Sequence, residues 1–405
     1  MSIKVLYIDG DGPLGGASRS LFEAVKNLPE GEVEPFFFIS RGTALKFYSQ
    51  VARDIITVRG MTKFDNTRYG YYRGARWLIL LRELFNFPFM LLGLLKAKWK
   101  WKKFDIIHVN EFVYIVPGLL AKWLFEARLV VHVRALSRVD DRSIRVRVIN
   151  KIFERWVDEV IAIDGNVRAT LSPTTAVCII NNSFTPVADS ASESKLVDFF
   201  NAVPASALKV GFVGNIHYSK GIVEIFEAAK LIAKAERNVE FIVVGGITTG
   251  DKGLKAWLLE RFGFAQNAGS DIESLVKSER MTGTFHMLGA TLNIKYVYDR
   301  IDVLLFPSHF DAPGRPVFEA GFSAVPSIVA VTHPTPDTFV HGITGLAIKA
   351  KDPRALADAI LFMLDHPADR ERMGRESHKL ALRNFSPVVN SKKLFEVYSR
   401  LTPSL

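Results

Sequence analysis

Short apolar runs rich in Val, Ile and Phe alternate along this chain with longer stretches whose apolar positions recur every three to four residues. In the first half the runs are KVLYID (4–9), VEPFFFI (33–39), DIITV (54–58), DIIHV (105–109), RLVVHV (128–133), EVIAI (159–163) and AVCII (176–180), with helical patterns near 17–27, 116–124 and 144–156. Buried β-branched runs separated by helices predict a parallel sheet covered on both faces. The stretch 186–207, rich in Ser, Ala and Pro, breaks the pattern and reads as a linker. A second series follows: LKVGFVG (208–214), VEFIVVGG (239–246), TFHMLG (284–289), DVLLF (302–306), PSIVAV (326–331) and GLAI (345–348), with helices near 222–235, 316–323, 353–364 and 368–384. The expectation is an α/β chain of two doubly wound Rossmann-like domains, 1–185 and 208–385, facing each other across a cleft. A last amphipathic segment within 386–405 is expected to pack back on the first domain. Ligands of such sheets sit at the carboxyl ends of the strands.

Composition agrees with two ordinary cores: 405 residues, 48% hydrophobic and 23% charged. The single cysteine, Cys178, leaves no intramolecular disulfide and no cysteine-rich metal site, as in a reducing compartment. The amino-terminal run passes straight into a glycine turn without a small-residue cleavage pattern, so it reads as a first strand, and a cytoplasmic location is expected.

The net charge of +10 is concentrated: Arg41 to Lys103 holds fourteen Lys and Arg against Asp54, Asp65 and Glu83. Such a field calls for an anionic partner. Within it, near 68–104, Leu78 to Leu95 is apolar, and a tail alternates Lys96, Lys98, Lys100, Lys102 and Lys103 with Trp99 and Trp101. Arg82, Glu83, Asn86 and Pro88 interrupt the apolar body, which argues against a membrane span. The reading is a helical hairpin or kinked helix on an anionic membrane surface, with tryptophans at headgroup depth. Peripheral attachment to the inner face of the plasma membrane follows from it. A core helix followed by a solvated basic tail also fits these residues. Nucleic acid is not expected, because no recognition motif accompanies the charge.

Four strand exits carry chemistry. DGDGPLGGASRS follows the first strand, where Gly15 and Gly16 let a ligand approach backbone N–H groups at a helix start. It is neither the G-x-G-x-x-G fingerprint nor a P-loop. GFVGNIHYSKG opens the second half, with Gly214 admitting a ligand and Lys220 able to set an ammonium against a diphosphate. His132, in VVHVRALSR, ends a strand and is followed by Arg134 and Arg138, while His108 and Glu111 lie in a similar place. FPSHFDAPGRPVFEAG sets Asp311 and Glu319 eight positions apart around Gly314 and Pro316. In isolation the two acids could equally cap a helix and face water. No H-E-x-x-H, Cys/His cluster or D-x-D pair occurs, so metal is not expected to be required.

The second half resembles the nucleotide-binding half of glycosyltransferase family 4, retaining enzymes of the GT-B type. That family's Ser-x-x-Glu-Gly-x-Gly-x-Pro-x-x-Glu-Ala stretch falls on Ser308, Asp311, Ala312, Gly314, Pro316, Glu319 and Ala320, with aspartate where the first glutamate is usual. Its Gly-Arg-x-x-x-x-Lys-Gly stretch falls on Gly214, Asn215, Lys220 and Gly221, with asparagine for arginine, and its glycine loop and strand-end histidine fall on Gly15, Gly16 and His132. The resemblance implies a hexosyltransferase that moves a sugar from a UDP- or GDP-linked donor to a glycan or lipid-linked glycan acceptor, without a metal cofactor. It places the diphosphate on Gly15, Gly16, Gly214, Asn215 and Lys220, and the ribose on Glu319. The hexose falls near Asp311, Gly314 and Gly289, and His132 lies beside the sugar or the acceptor hydroxyl. A sugar-nucleotide or glycan-binding protein of the same fold, weak in catalysis, is the competing reading.

Overall fold

The apolar runs of the first half pair into one parallel sheet in the order β3-β2-β1-β4-β5-β6-β7. Its strands are β1 (Ile3–Asp9), β2 (Val33–Ser40), β3 (Asp54–Val58), β4 (Ile106–Val109), β5 (Arg128–Val133), β6 (Glu159–Ala162) and β7 (Val177–Ile179). The second half forms another parallel sheet, β10-β9-β8-β11-β12-β13. Its strands are β8 (Leu208–Val213), β9 (Val239–Val244), β10 (Phe285–Gly289), β11 (Val303–Phe306), β12 (Ser327–Ala330) and β13 (Gly345–Ile348). The computed structural model describes residues 2–68, 77–140, 142–186, 194–246, 268–291 and 293–402.

The chain divides into two units, 1–185 with 385–405, and 186–384. Each sheet carries apolar clusters on both faces, which is why its strands are continuously hydrophobic and do not alternate. In each order the sequence direction reverses once, between β1 and β4 and between β8 and β11. These two switch points are where a doubly wound sheet opens a crevice at its carboxyl edge.

The stretch 186–207 is not all connector: Ser194–Ala202 is a helix whose Leu196 and Phe200 are buried in the second unit. Residues 187–193 of that stretch, and 69–76 of the basic segment, lie outside the described residues. The last helix, Pro387–Leu401, contributes Leu394, Val397 and Tyr398 to the core beside β1 and β2. Ser391 Oγ donates to the Ala24 carbonyl at 2.8 Å, and the Tyr398 hydroxyl meets His108 Nδ1 at 2.7 Å and the Tyr7 hydroxyl at 3.2 Å. A separate C-terminal segment is thereby stitched into the first core by buried polar bonds.

The apolar part of the basic segment is one helix, Ile79–Trp101, running through Pro88, so the hairpin alternative is not formed. A narrow strip packs inward: Met90, Leu94 and Ala97 are buried, and Gly93 fits because a Cβ there would come 2.5 Å from Val58 and 2.9 Å from Phe38. Glu83 is also turned inward, accepting from Lys63 N at 2.7 Å and pairing with Arg82 at 2.5 Å. Leu78, Leu81, Phe85, Leu92, Leu95 and Trp99, spaced three, four or seven apart, form an exposed stripe. Trp99 is 84% exposed. Trp101 departs from the expected headgroup position: its indole N–H donates to Asp54 at 2.8 Å and its ring packs edge-on against Phe36 and Phe104. Among the described residues no helix is long and apolar enough to cross a membrane.

Candidate functional site

At the switch point of the second sheet, the loops after β8 and β11 are locked together by a glycine. Gly221 has φ +80°, and a Cβ on it would lie 2.2 Å from the Pro307 carbonyl oxygen. Only a residue without a side chain meets both conditions. His309 N donates to the Ser219 carbonyl at 2.9 Å, and His309 Nε2 pairs with Glu224 at 2.9 Å. Gly221 also begins the helix Ile222–Lys234, whose amino end adds positive potential at this edge.

Lys220, the last residue of the turn before that helix, projects its ammonium over two rings from the other loop, 4.8 Å from the Phe310 centroid and 5.7 Å from that of Phe306. Burial pushes its pKa down. No carboxylate among the described residues lies within ion-pair distance of it. A half-buried cation over ring faces keeps its hydrogen-bond donors for an anion, and its field is less screened than in water. Phe306 is in turn fixed by Gly314, where a Cβ would come 2.3 Å from the ring. The packing therefore links Lys220 to Gly314 through one aromatic side chain.

Along the same edge Gly214 N donates to the Val244 carbonyl at 3.0 Å and Gly245 N to the Gly289 carbonyl at 2.8 Å. The ends of β8, β9 and β10 are thus joined by glycines. A Cβ on Gly289, with φ +78°, meets nothing within 4 Å, whereas one on Gly245 would strike the Gly214 carbonyl at 1.8 Å. Asn215 is exposed beside them.

Glu319 lies inside the helix Arg315–Phe322 and is 5% exposed. Arg315 Nε stands 2.5 Å from its Oε1, and the Tyr298 hydroxyl donates to Oε2 at 2.9 Å. Its orientation is set by protein partners one turn below and from a neighbouring helix, so it does not face water. Asp311 has φ +51° and its Oδ1 accepts from Thr332 N at 2.6 Å, so one of its oxygens fastens the loop after β12. Aspartate tolerates this left-handed conformation better than most residues. The two acids therefore differ: Glu319 is a buried, paired group, and Asp311 is a loop clasp with one oxygen remaining.

Gly15, Gly16 and His132 belong to the first unit. Gly15 caps the helix Gly16–Lys26, and a Cβ on either glycine would meet nothing within 4 Å. Neither is demanded by packing or by a left-handed backbone. Behind them Asp9 is buried, accepting from Ser18 Oγ at 2.6 Å and from the Tyr48 hydroxyl. His132 is the penultimate residue of β5, is 3% exposed, and meets Arg134 through Nδ1 at 3.2 Å. Burial first, then Arg134 and His108, hold it neutral, well below the ordinary histidine range. His108 is lowered to about 3 for the same leading reason. Arg134 is spread over Asn110 at 2.7 Å, Asn182 at 2.6 Å and His132. Glu111 lies beside it, raised to about 8 by burial although it accepts from Phe112 N at 2.8 Å.

The structure thus gathers Gly214, Asn215, Lys220, Gly289, Asp311, Gly314 and Glu319 at one edge of the second unit, with Gly15, Gly16 and His132 at the corresponding edge of the first. Sequence reasoning missed Arg315, Tyr298, Phe306, Phe310 and Gly245. The Arg315 to Glu319 spacing of one helical turn was a readable cue; the ring contacts were not. Among the described residues no group of three or more His, Cys, Asp or Glu side chains could hold a metal ion.

Residues 196–380 match the family model described as "Glycosyl transferases group 1", and residues 14–179 the model described as "Glycosyltransferase Family 4". The capsular polysaccharide biosynthesis glycosyltransferase CapM of Staphylococcus aureus is 24% identical over 212 residues, 51% of this chain and 50% of CapM. The D-inositol 3-phosphate glycosyltransferase of Corynebacterium efficiens is 28% identical over 54% of this chain and 48% of its own length. The chain thus spans about half the length of these two relatives. Among solved structures, Anabaena HepE in complex with UDP-glucose superposes with a TM-score of 0.72 at 18% identity, covering 98% of this chain and 100% of that one.

Proposed function

The chain belongs to glycosyltransferase family 4, retaining enzymes of the GT-B type, and from that premise we propose that it transfers a sugar from a nucleoside-diphosphate sugar to an acceptor hydroxyl, with retention. The observation that carries this reading is Lys220: a half-buried ammonium at the switch point of the second sheet, held by Phe306 and Phe310 and matched to no carboxylate among the described residues.

The chemistry asked of the residues follows. The bond between the sugar C1 and the diphosphate oxygen breaks, and negative charge grows on the departing diphosphate. Lys220 and the amino end of the helix Ile222–Lys234 supply fixed positive potential to it, the kind of preorganised stabilisation that dominates such steps. The acceptor oxygen bonds to C1 from the face the diphosphate leaves, and the acceptor proton passes to that diphosphate. Glu319, held by Arg315 and Tyr298, takes the ribose hydroxyls, and Asp311 and the backbone near Gly289 orient the hexose. In the first unit the helix start at Gly15 and Gly16 offers backbone N–H groups to an anion, and His132 stands as a neutral group.

The acceptor is a glycan or lipid-linked glycan of polysaccharide or glycolipid assembly, met at an anionic membrane surface on the cytoplasmic side. Support comes from the stripe Leu78 to Trp99 and the basic residues around it. A stripe this apolar, on a helix flanked by lysines, suits the boundary between headgroups and acyl chains.

The test is transfer from a panel of UDP- and GDP-sugars into membrane extract. Labelled product whose anomeric configuration matches the donor supports the reading. Binding of nucleotide sugars without any transfer would favour a binding protein of the same fold.

A further inference from the structure

A cavity of about 220 Å³ lies at the carboxyl ends of β1, β2 and β3, within the first unit. Its lining includes Arg41, Arg59, Lys63 and Arg82, with Asp11 and Asn86. Glycines build it. Gly12, at φ +66°, and Gly42 cross so closely that a Cβ on Gly42 would lie 2.2 Å from Gly12, which brings Arg41 to the rim. Gly60 lets the long helix approach, since a Cβ there would lie 2.9 Å from the Asn86 amide.

The cations are not equivalent. Lys63 pairs with Asp11 at 3.0 Å and Arg82 with Glu83 at 2.5 Å. Arg41 and Arg59 have no carboxylate within ion-pair distance among the described residues. Arg59 lies over the rings of Phe85 and Phe89, 5.0 and 5.9 Å from their centroids. Ring contacts satisfy none of a guanidinium's five N–H donors, whose fork matches a phosphate or carboxylate. The volume is below that of pockets that enclose whole drug-sized ligands, roughly 300 Å³ upward, so it suits a headgroup.

Resting on the transfer reading above, we propose that this cavity is the anion subsite of the acceptor, with Arg41 and Arg59 binding the phosphate or diphosphate of a phosphoryl-bearing acceptor. One wall is the helix that carries the exposed stripe: Arg82 and Asn86 line the cavity, and Leu81 and Phe85 stand exposed next to them. An apolar chain attached to the bound phosphate meets that stripe as it leaves the cavity. The chemistry assigned is therefore an amphipathic phosphate.

The experiment is calorimetry on the full chain with dodecyl phosphate below its micellar concentration, with glucose 1-phosphate, and separately with UDP and GDP. Arg41→Gln/Arg59→Gln should weaken both phosphates about tenfold or more, the size expected for lost charge-assisted hydrogen bonds. Both arginines are exposed, so the fold should survive, and Arg41→Lys/Arg59→Lys should recover part of the affinity. Dodecyl phosphate binding tighter than glucose 1-phosphate, with the difference erased by Leu81→Ser/Phe85→Ser, supports a lipid source. Equal affinities that both fall in the double arginine variant support a soluble phosphate in the same site. Unchanged affinity in that variant, no phosphate binding by the wild type, or loss of UDP and GDP together with the phosphates would overturn the proposal. Wild-type protein that binds the phosphates but neither nucleotide would sink the transfer reading and leave the anion site, which separates the two failures.

Discussion

Arg315 Nε and Glu319 Oε1 stand 2.5 Å apart, one helical turn from each other, while the Tyr298 hydroxyl holds the second carboxylate oxygen at 2.9 Å. A buried acid gripped in this way is both a structural element and a preoriented acceptor of hydrogen bonds. Removing one partner of a buried pair leaves the other charge uncompensated, at a cost of about 3 kcal/mol or more. Glu319→Ala should therefore lower unfolding stability and weaken nucleotide-sugar binding more than tenfold. Tyr298→Phe, which removes only a neutral donor, should do less of both. Urea unfolding alongside calorimetry reads the two effects, and unaltered affinity for every competent donor in Glu319→Ala would remove that residue from the site.

Lys220→Ala should reduce turnover by about 10² or more, because the departing diphosphate loses its cation. A further expectation concerns pH. Burial lowers the folded-state pKa of Lys220, so its charge is lost on raising pH earlier than an ordinary lysine's near ~10.4. Donor affinity should fall as pH rises through that folded value and be flat there in Lys220→Met. The stability contribution has the opposite sign: between the folded and unfolded pKa values the unfolded chain binds more protons, so stability rises with pH across that window. Near-wild-type turnover for Lys220→Ala would end its proposed role.

Glu111 gives a pH signature in the first unit. Burial raises its pKa from 4.5 to about 8, so the folded chain holds a proton there that the unfolded chain has released. This contribution is fully present below about 4.5 and is lost as pH rises through about 8. Glu111→Gln should flatten the fall in stability across that range, measured by chemical denaturation at several pH values. A profile identical to the wild type would show that Glu111 is ionised in the fold.

Gly314→Ala places a Cβ 2.3 Å from the Phe306 ring, which must then shift within a packed core. Overpacking of this kind costs about 1–3 kcal/mol. Because Phe306 also underlies Lys220, donor affinity should drop together with stability. A variant with lowered stability and wild-type donor affinity would show that the ring does not position the lysine.

The stripe on the helix Ile79–Trp101 should bind vesicles containing anionic lipid, less so as salt is raised. Leu81→Ser, Leu92→Ser and Trp99→Ser together should abolish flotation, while Trp101→Phe, altered at a core position, should leave it in place provided the fold is retained. Flotation that persists in the triple variant would reject docking through this face.

Much of the architecture was legible because the central strands are buried on both faces, so their sequences are nearly unbroken apolar runs. DIITV, RLVVHV and GLAI became β3, β5 and β13 over the same residues. The short helices were harder to read: Leu45–Tyr48, Gly165–Arg168 and Ile294–Tyr298 have too few turns to show a period. Ser194–Ala202 was hidden in a Ser- and Ala-rich stretch because only Leu196 and Phe200 bury deeply. The long helix was legible as apolar and basic. Which of its tryptophans turned inward was not, since Trp99 and Trp101 have the same local pattern and differ in their distance from Asp54 and Phe36.

By itself the sequence determined the strand and helix alternation, the glycine-bearing loops at strand exits, the placing of Lys220 and Asp311 in those loops, and that of Glu319 in the helix that follows. These follow from burial, backbone freedom and local spacing, which act over a few residues. The tertiary structure alone decided the surroundings of each group: Lys220 half-buried over Phe310, Glu319 buried against Tyr298, Asp311 fastened to Thr332, and His132 kept neutral by burial. Charge and orientation depend on neighbours up to scores of residues away in sequence, brought within a few ångströms by parallel strands whose loops all emerge at one edge.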